Sequence, residues 1–115
     1  DEARQAGVLV PQGLIDRAVR RVEEGRLPDG AYLYGSDSRF NPGAFHNQIK
    51  GSTGRMQACN AALWALGSPR VGHDESLAGL KTLLDNHECI SIARKRPYPH
   101  EAWYANSGYY YYFGR

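Results

Sequence analysis

The sequence predicts an all-α chain of about four main helices that alternate between outer and inner positions. Three observations predict it. Apolar residues recur at helical spacing between Gln12 and Gly25, the stretch "QACNAALWALG" is apolar on nearly every side, and a stripe of leucines follows Asp74.

The first helix places Leu14, Ile15, Ala18, Val19 and Val22 on one stripe and leaves Asp16, Arg17, Arg20, Arg21, Glu23 and Glu24 for water. Pro11 suits its first turn and Gly25 is a natural stop. It reads as an outer, amphipathic helix. Residues 26–50 then form a long loop, interrupted by prolines at 28 and 42 and glycines at 30, 35 and 43. Pro28-Asp29-Gly30 marks a turn, because proline presets one dihedral, aspartate bonds its own backbone and glycine accepts positive φ. The aromatics Tyr32, Tyr34, Phe40 and Phe45 anchor this loop against a surface. Connections of such length are normally functional or covered by other parts of an assembly.

The second helix is expected to begin near Ser52 or Thr53, either of which can cap it, and to end at Gly67 before Ser68-Pro69. Ala58, Cys59, Ala61, Ala62, Leu63, Trp64, Ala65 and Leu66 surround its axis, which predicts an inner helix enclosed on several sides. The third helix runs from a cap at about Asp74 through "ESLAGLKTLLDNHECISIARK", with Leu77, Leu80, Leu83, Leu84 and one of Ile90 or Ile92 as its single apolar side, and reads as outer. Pro97 and Pro99 break the chain before a fourth helix near His100. That helix carries Trp103, Tyr104, Tyr109, Tyr110, Tyr111, Tyr112 and Phe113 on most faces and reads as inner. The order outer, inner, outer, inner belongs to helical-hairpin repeats, in which no unit buries its inner face alone. Residues 1–115 are therefore expected to be a single helical unit within a longer domain, and alone to self-associate.

Composition narrows the partners. With a formal charge of +2 and acids and bases interspersed, nothing favours nucleic acid or an anionic membrane. No apolar run approaches the roughly 20 residues of a membrane span. Cys59 and Cys89 do not make a disulfide framework and read as small buried hydrophobes. No feature of the sequence fixes a compartment.

An amphipathic helix leading into "LPDGAYLY", followed by the alanine-rich "GRMQACNAALWALG", resembles the squalene cyclase and prenyltransferase-like repeat group, whose hairpins build α/α toroids. Their hairpins carry a turn of the type Gln…Asp-Gly-Ser-Trp between an outer and an inner helix. Asp29 and Gly30 match that turn, while Tyr32 stands where the group prefers tryptophan or phenylalanine. Ala31 replaces the usual serine, and the upstream glutamine is absent, with Gly25 and Arg26 in its neighbourhood. The resemblance implies an α/α-toroid fold, and an activity of terpenoid cyclase or protein prenyltransferase type in some members.

The residues that such activities need are not gathered in this sequence. The cyclases protonate an alkene with an Asp-x-Asp-Asp acid motif, whereas Asp37 stands alone in "GSDSRF" and reads as a turn residue. The prenyltransferases hold zinc with aspartate, cysteine and histidine. Asp85, His87 and Cys89 are the nearest candidates, but residues two apart on a helix diverge, and His87 reads as a helix-end residue. "GSTG" at 51–54 has neither a nucleophile elbow nor a phosphate-binding lysine and reads as a helix start. No catalytic residue, metal or cofactor is expected in this chain.

Two accounts fit the aromatic segment: ordinary packing between helices, which is the plainer, and the lining of a cavity that takes an apolar or glycan ligand. On the second, Trp103, Tyr104, Tyr110 and Tyr111 supply ring faces and Asn106 a polar anchor. The expected function is a non-catalytic scaffold or binding module of the toroid. The alternative is part of an enzyme whose acid or zinc ligands lie outside this chain. Expected partners are the remaining parts of the same toroid or a second copy of the chain, together with that ligand.

Overall fold

The computed structural model describes residues 5–35 and 41–88, Phe45 by its backbone only. The described residues are all-α: three α-helices and one 3-10 turn, with an isolated antiparallel bridge between Arg26 and Tyr32 in the connection after the first helix. The predicted fourth helix lies outside them, as do Asp37, Phe40, Cys89, His100, Trp103, Tyr104, Asn106, Tyr110 and Tyr111.

Helix α1 spans Gln12–Glu24, with Pro11 as N-cap and Gly25 as C-cap. Its strong amphipathicity follows from the apolar stripe, yet none of its residues is fully buried. Val19 and Val22 pack on the core, while Leu14 at the stripe's edge stays 51% exposed.

The connection after α1 is tied down where it leaves the helix. Gly30 N–H closes a turn on the Leu27 carbonyl (3.0 Å), Leu27 N–H bonds Ala31 O (2.8 Å), and Leu33 N–H bonds Gly25 O (2.8 Å). Gly30 sits at φ +87, a conformation open to glycine and strained for other residues. This hairpin-like reversal buries Ala31 and Tyr32 completely or nearly so. A 3-10 turn at Phe45–Asn47 leads into the next helix.

Helix α2 spans Ile49–Ala65 and starts earlier than the capping pattern predicts. Gln48 is its N-cap, and the Gly51 and Ser52 amides bond the Gln48 carbonyl at 3.0 and 2.9 Å. Ser52 and Thr53 are therefore not caps. Both are buried inside the helix, and their hydroxyls are used elsewhere: Ser52 Oγ accepts the Tyr32 N–H (2.9 Å), and Thr53 Oγ1 donates to the Ile49 carbonyl (2.6 Å). "GSTG" lies within the helix for the same reason. At the other end Gly67, at φ +73, bonds Trp64 O through its amide, and the Ser68 amide reaches Leu63 O, a left-handed glycine stop that satisfies the last carbonyls.

Burial along α2 is uneven. Gly51 through Met56 are buried on all sides, together with Asn60 and Leu63, but Ala61, Ala62, Trp64 and Ala65 are exposed. Of the residues expected to be enclosed, only Leu63 is buried; Ala58, Cys59 and Leu66 are half-buried and Ala61, Ala62, Trp64 and Ala65 are exposed, so the enclosure lies one to two turns earlier than the apolar run predicts. Trp64 is 53% exposed, with the His73 ring edge-on at 6.0 Å.

Helix α3 spans His73–Asp85. Its N-cap is Gly72, and the carboxylate of Glu75 accepts the Gly72 N–H at 2.9 Å, so Asp74 is not the cap but an exposed first-turn residue beside His73. The hydrogen bond from Gly72 holds the Glu75 carboxyl below its usual range. The leucine stripe is unevenly covered, Leu83 being half-buried. Gly79 is the one fully buried residue of α3. Its carbonyl accepts Gln57 Nε2 (2.6 Å), and a methyl group in place of its hydrogen would meet Asn60 Nδ2 at 2.5 Å. Helix α3 approaches α2 through this missing side chain, and Leu77, Leu80 and Leu84 are left 55%, 45% and 62% exposed.

Among the described residues the apolar core is small: Tyr32, Met56, Leu63 and Val71, with Val19, Val22, Ile49 and Cys59 packed against it. Five polar residues are buried beside it, namely Asn47, Ser52, Thr53, Arg55 and Asn60. Buried polar groups need partners, and these are satisfied mainly by the backbone of the connection.

Candidate functional site

Arg55 organises the region where α1, α2 and the connection meet. Its guanidinium, only 5% exposed as a residue, donates through Nε and Nη2 to the Tyr32 carbonyl, and Nη2 also reaches the His46 carbonyl at 2.7 Å. Charged donors on neutral carbonyls make the stronger class of hydrogen bond. The same guanidinium lies 5.5 Å from the centre of the Tyr34 ring, within cation–π range. His46 meets Tyr34 edge-on at 5.8 Å, and the Tyr34 N–H donates to Asn47 Oδ1 at 2.9 Å. Asn47 in turn donates to the Asn41 carbonyl at 2.9 Å. A half-exposed aromatic ring is thus fixed in place from several directions.

Beside Tyr34 a cleft of about 370 Å³ opens between the C-terminal end of α1 and the middle of α2. Val22, Leu33, Ala58 and Ala62 give it apolar walls, and Arg55 and Cys59 line it as well. Burial pushes the Cys59 thiol up to about 11, with Arg55 opposing. That leaves it protonated and a poor nucleophile at neutral pH, consistent with a cysteine that serves as a small hydrophobe.

The turn motif does structural work behind the cleft. Asp29 Oδ1 accepts the Ala31 N–H at 3.0 Å, and Gly30 supplies the left-handed step. Together they deliver Tyr32 to the core, where its hydroxyl donates to Asn60 Oδ1 at 2.7 Å. Burial pushes the Tyr32 phenol up to about 12, Cys59 adding to the shift and Arg26 opposing it. Asn60 Nδ2 continues the chain of contacts to the Glu75 carbonyl at 3.4 Å, so one tyrosine links the turn to α2 and to the first turn of α3.

Of the residues singled out from sequence, Asp29, Gly30 and Tyr32 come together in this turn. The aromatic set of Trp103, Tyr104, Asn106, Tyr110 and Tyr111 falls outside the described residues. Asp85 pairs with Lys81 at 2.6 Å, and His87 Nδ1 lies 2.9 Å from the Leu84 carbonyl at the end of α3. Among the described residues no group of three or more His, Cys, Asp or Glu is placed to hold a metal, and no helix is long and apolar enough to cross a membrane. Arg55, Asn47 and Asn60 escape sequence reasoning. The one available signal is an arginine amid small and apolar residues in "GSTGRMQA".

No protein-family model, curated protein or solved structure matches the chain.

Proposed function

We propose that the chain is a non-catalytic segment of a squalene cyclase and prenyltransferase-like repeat domain, an α/α toroid, serving as scaffold or binding module for an apolar or glycan ligand. The observation that carries this reading is the Asp29–Gly30 turn. It joins an amphipathic helix to a helix of small residues and sets Tyr32 into the seam between them. The exposed Ala61, Trp64 and Ala65 are then surface reserved for neighbouring repeats.

The cleft supports the binding role. It is concave, mostly apolar, and falls in the roughly 300–1,000 Å³ range of small-molecule sites. Tyr34 at its edge offers a ring held by Arg55 and His46. Trp103, Tyr104, Tyr110, Tyr111 and Asn106 are the further proposed ligand contacts. Titration with farnesol as the apolar probe and a maltooligosaccharide as the glycan probe, followed by aromatic fluorescence, tests the role. A saturable response to one probe is expected, weakened by Tyr34→Ala and by Ala62→Trp, which fills the cleft. A response to neither removes the binding role.

A further inference from the structure

The exposed leucine stripe of α3 is a second packing face. A helix that closes on its neighbour through Gly79, with a glutamine and an asparagine opposite, leaves three of its four leucines exposed. Leu77, Leu80 and Leu84 fall at steps of three and seven and so form one continuous ridge, about half of it open. Helix α1 has the counterpart. No residue of it is fully buried, and the edge formed by Leu14 and Ala18, four residues apart, is exposed.

The charges bordering these ridges are opposite. Asp74, beside His73, precedes Leu77 by one turn, Asp85 adjoins Leu84 and pairs with Lys81, and Glu88 lies one turn beyond, so acids outnumber Lys81 along this ridge. Arg17 and Arg21 border Leu14 one and two turns on, against Glu24. An acidic rim around one apolar ridge and a basic rim around the other favour contact between unlike faces and oppose contact between like ones.

We infer that the leucine ridge of α3 docks on the Leu14–Ala18 edge of α1 in a second copy of the chain, a head-to-tail contact that leaves each end copy with one open face. The choice of a second copy as occupant rests on the repeat reading above. Such a contact is heterologous, so it propagates until a rotation closes it or one face is blocked.

Blocking the two faces separately tests this. Leu14→Glu and Leu84→Glu each change an exposed side chain, and circular dichroism of each variant checks that the helices persist. The parent chain is expected to assemble with rising concentration beyond a dimer in sedimentation velocity. Each variant alone is expected to be monomeric. Mixed, the two are expected to form a one-to-one heterodimer, because one still carries an intact α3 ridge and the other an intact α1 edge. A charge pair sharpens the outcome: adding Arg17→Glu to the copy that supplies the α1 edge should weaken the heterodimer by about tenfold or more, and Asp85→Lys in its partner should restore it. A strictly monomeric parent, a variant that still dimerises alone, or a mixture that stays monomeric would each overturn the inference. The probe titrations, repeated on the monomeric variants, report on the binding role separately.

Discussion

The two seams of α2 are built on opposite plans. Against α3 the helix closes through a glycine and two side-chain amides, and the approach is so near that a methyl group on the glycine would press on the Asn60 amide. Against α1 it is held off by Tyr32 and Arg55, and the separation leaves a cleft lined by valine, leucine and alanine. The apolar stripes that dominate the hydrophobic pattern of α1 and α3 are only partly spent on α2. Specific polar contacts set the positions of the helices, and apolar surface remains for other partners.

The largest way to break this contrast is Arg55→Ala. It strips the Tyr32 and His46 carbonyls of a charged donor and frees Tyr34, and a loss of about 3 kcal/mol in urea unfolding is expected. If the open seam owes nothing to Arg55, the variant will unfold at the parent's midpoint. Gly79→Ala attacks the close seam. Helix propensity gains about 1 kcal/mol, but the added methyl presses on Asn60, itself held by Tyr32 and Glu75, and overpacking costs about 1–3 kcal/mol. A small net destabilisation is expected, and a stabilised variant would mean that Asn60 moves aside freely.

The subtlest comparison is alkaline titration. The folded Tyr32 phenol and Cys59 thiol are held up to about 12 and about 11, from ordinary values of 10.0 and 9.0. Above pH 9 the unfolded chain therefore releases protons that the folded chain retains, so stability falls as pH rises from 9 towards 12. Thermal melts across this window should show the fall, with Tyr32→Phe removing its upper part and Cys59→Ala its lower part. Unchanged slopes in both variants would place the titration elsewhere.

Much of the helical layout was legible. The stripe from Leu14 to Val22 and the stop at Gly25 mark α1 because spacing and a terminator coincide. Pro28-Asp29-Gly30 could be read as a turn because each residue type has its own local reason to be there. The start of α2 was hidden because Ser52 and Thr53 resemble caps, and whether a hydroxyl bonds its own helix start or a residue twenty positions away depends on tertiary contacts. The seam of α3 was hidden for a related reason. Periodicity locates an apolar side but does not say which neighbour it meets, and here a lone glycine chose the seam. Arg55 left almost no trace, since its partners are backbone carbonyls, which every residue possesses.

The grip of Arg55 on two carbonyls has a consequence for how this chain can change. Tyr32 and His46 are pinned to the same guanidinium, so the stretch between them has both ends clamped to one helix. Its length can drift at little thermodynamic cost, because closure entropy grows only slowly with added residues. The rim of the cleft is thus the natural place for diversification, while the clamp itself tolerates almost none.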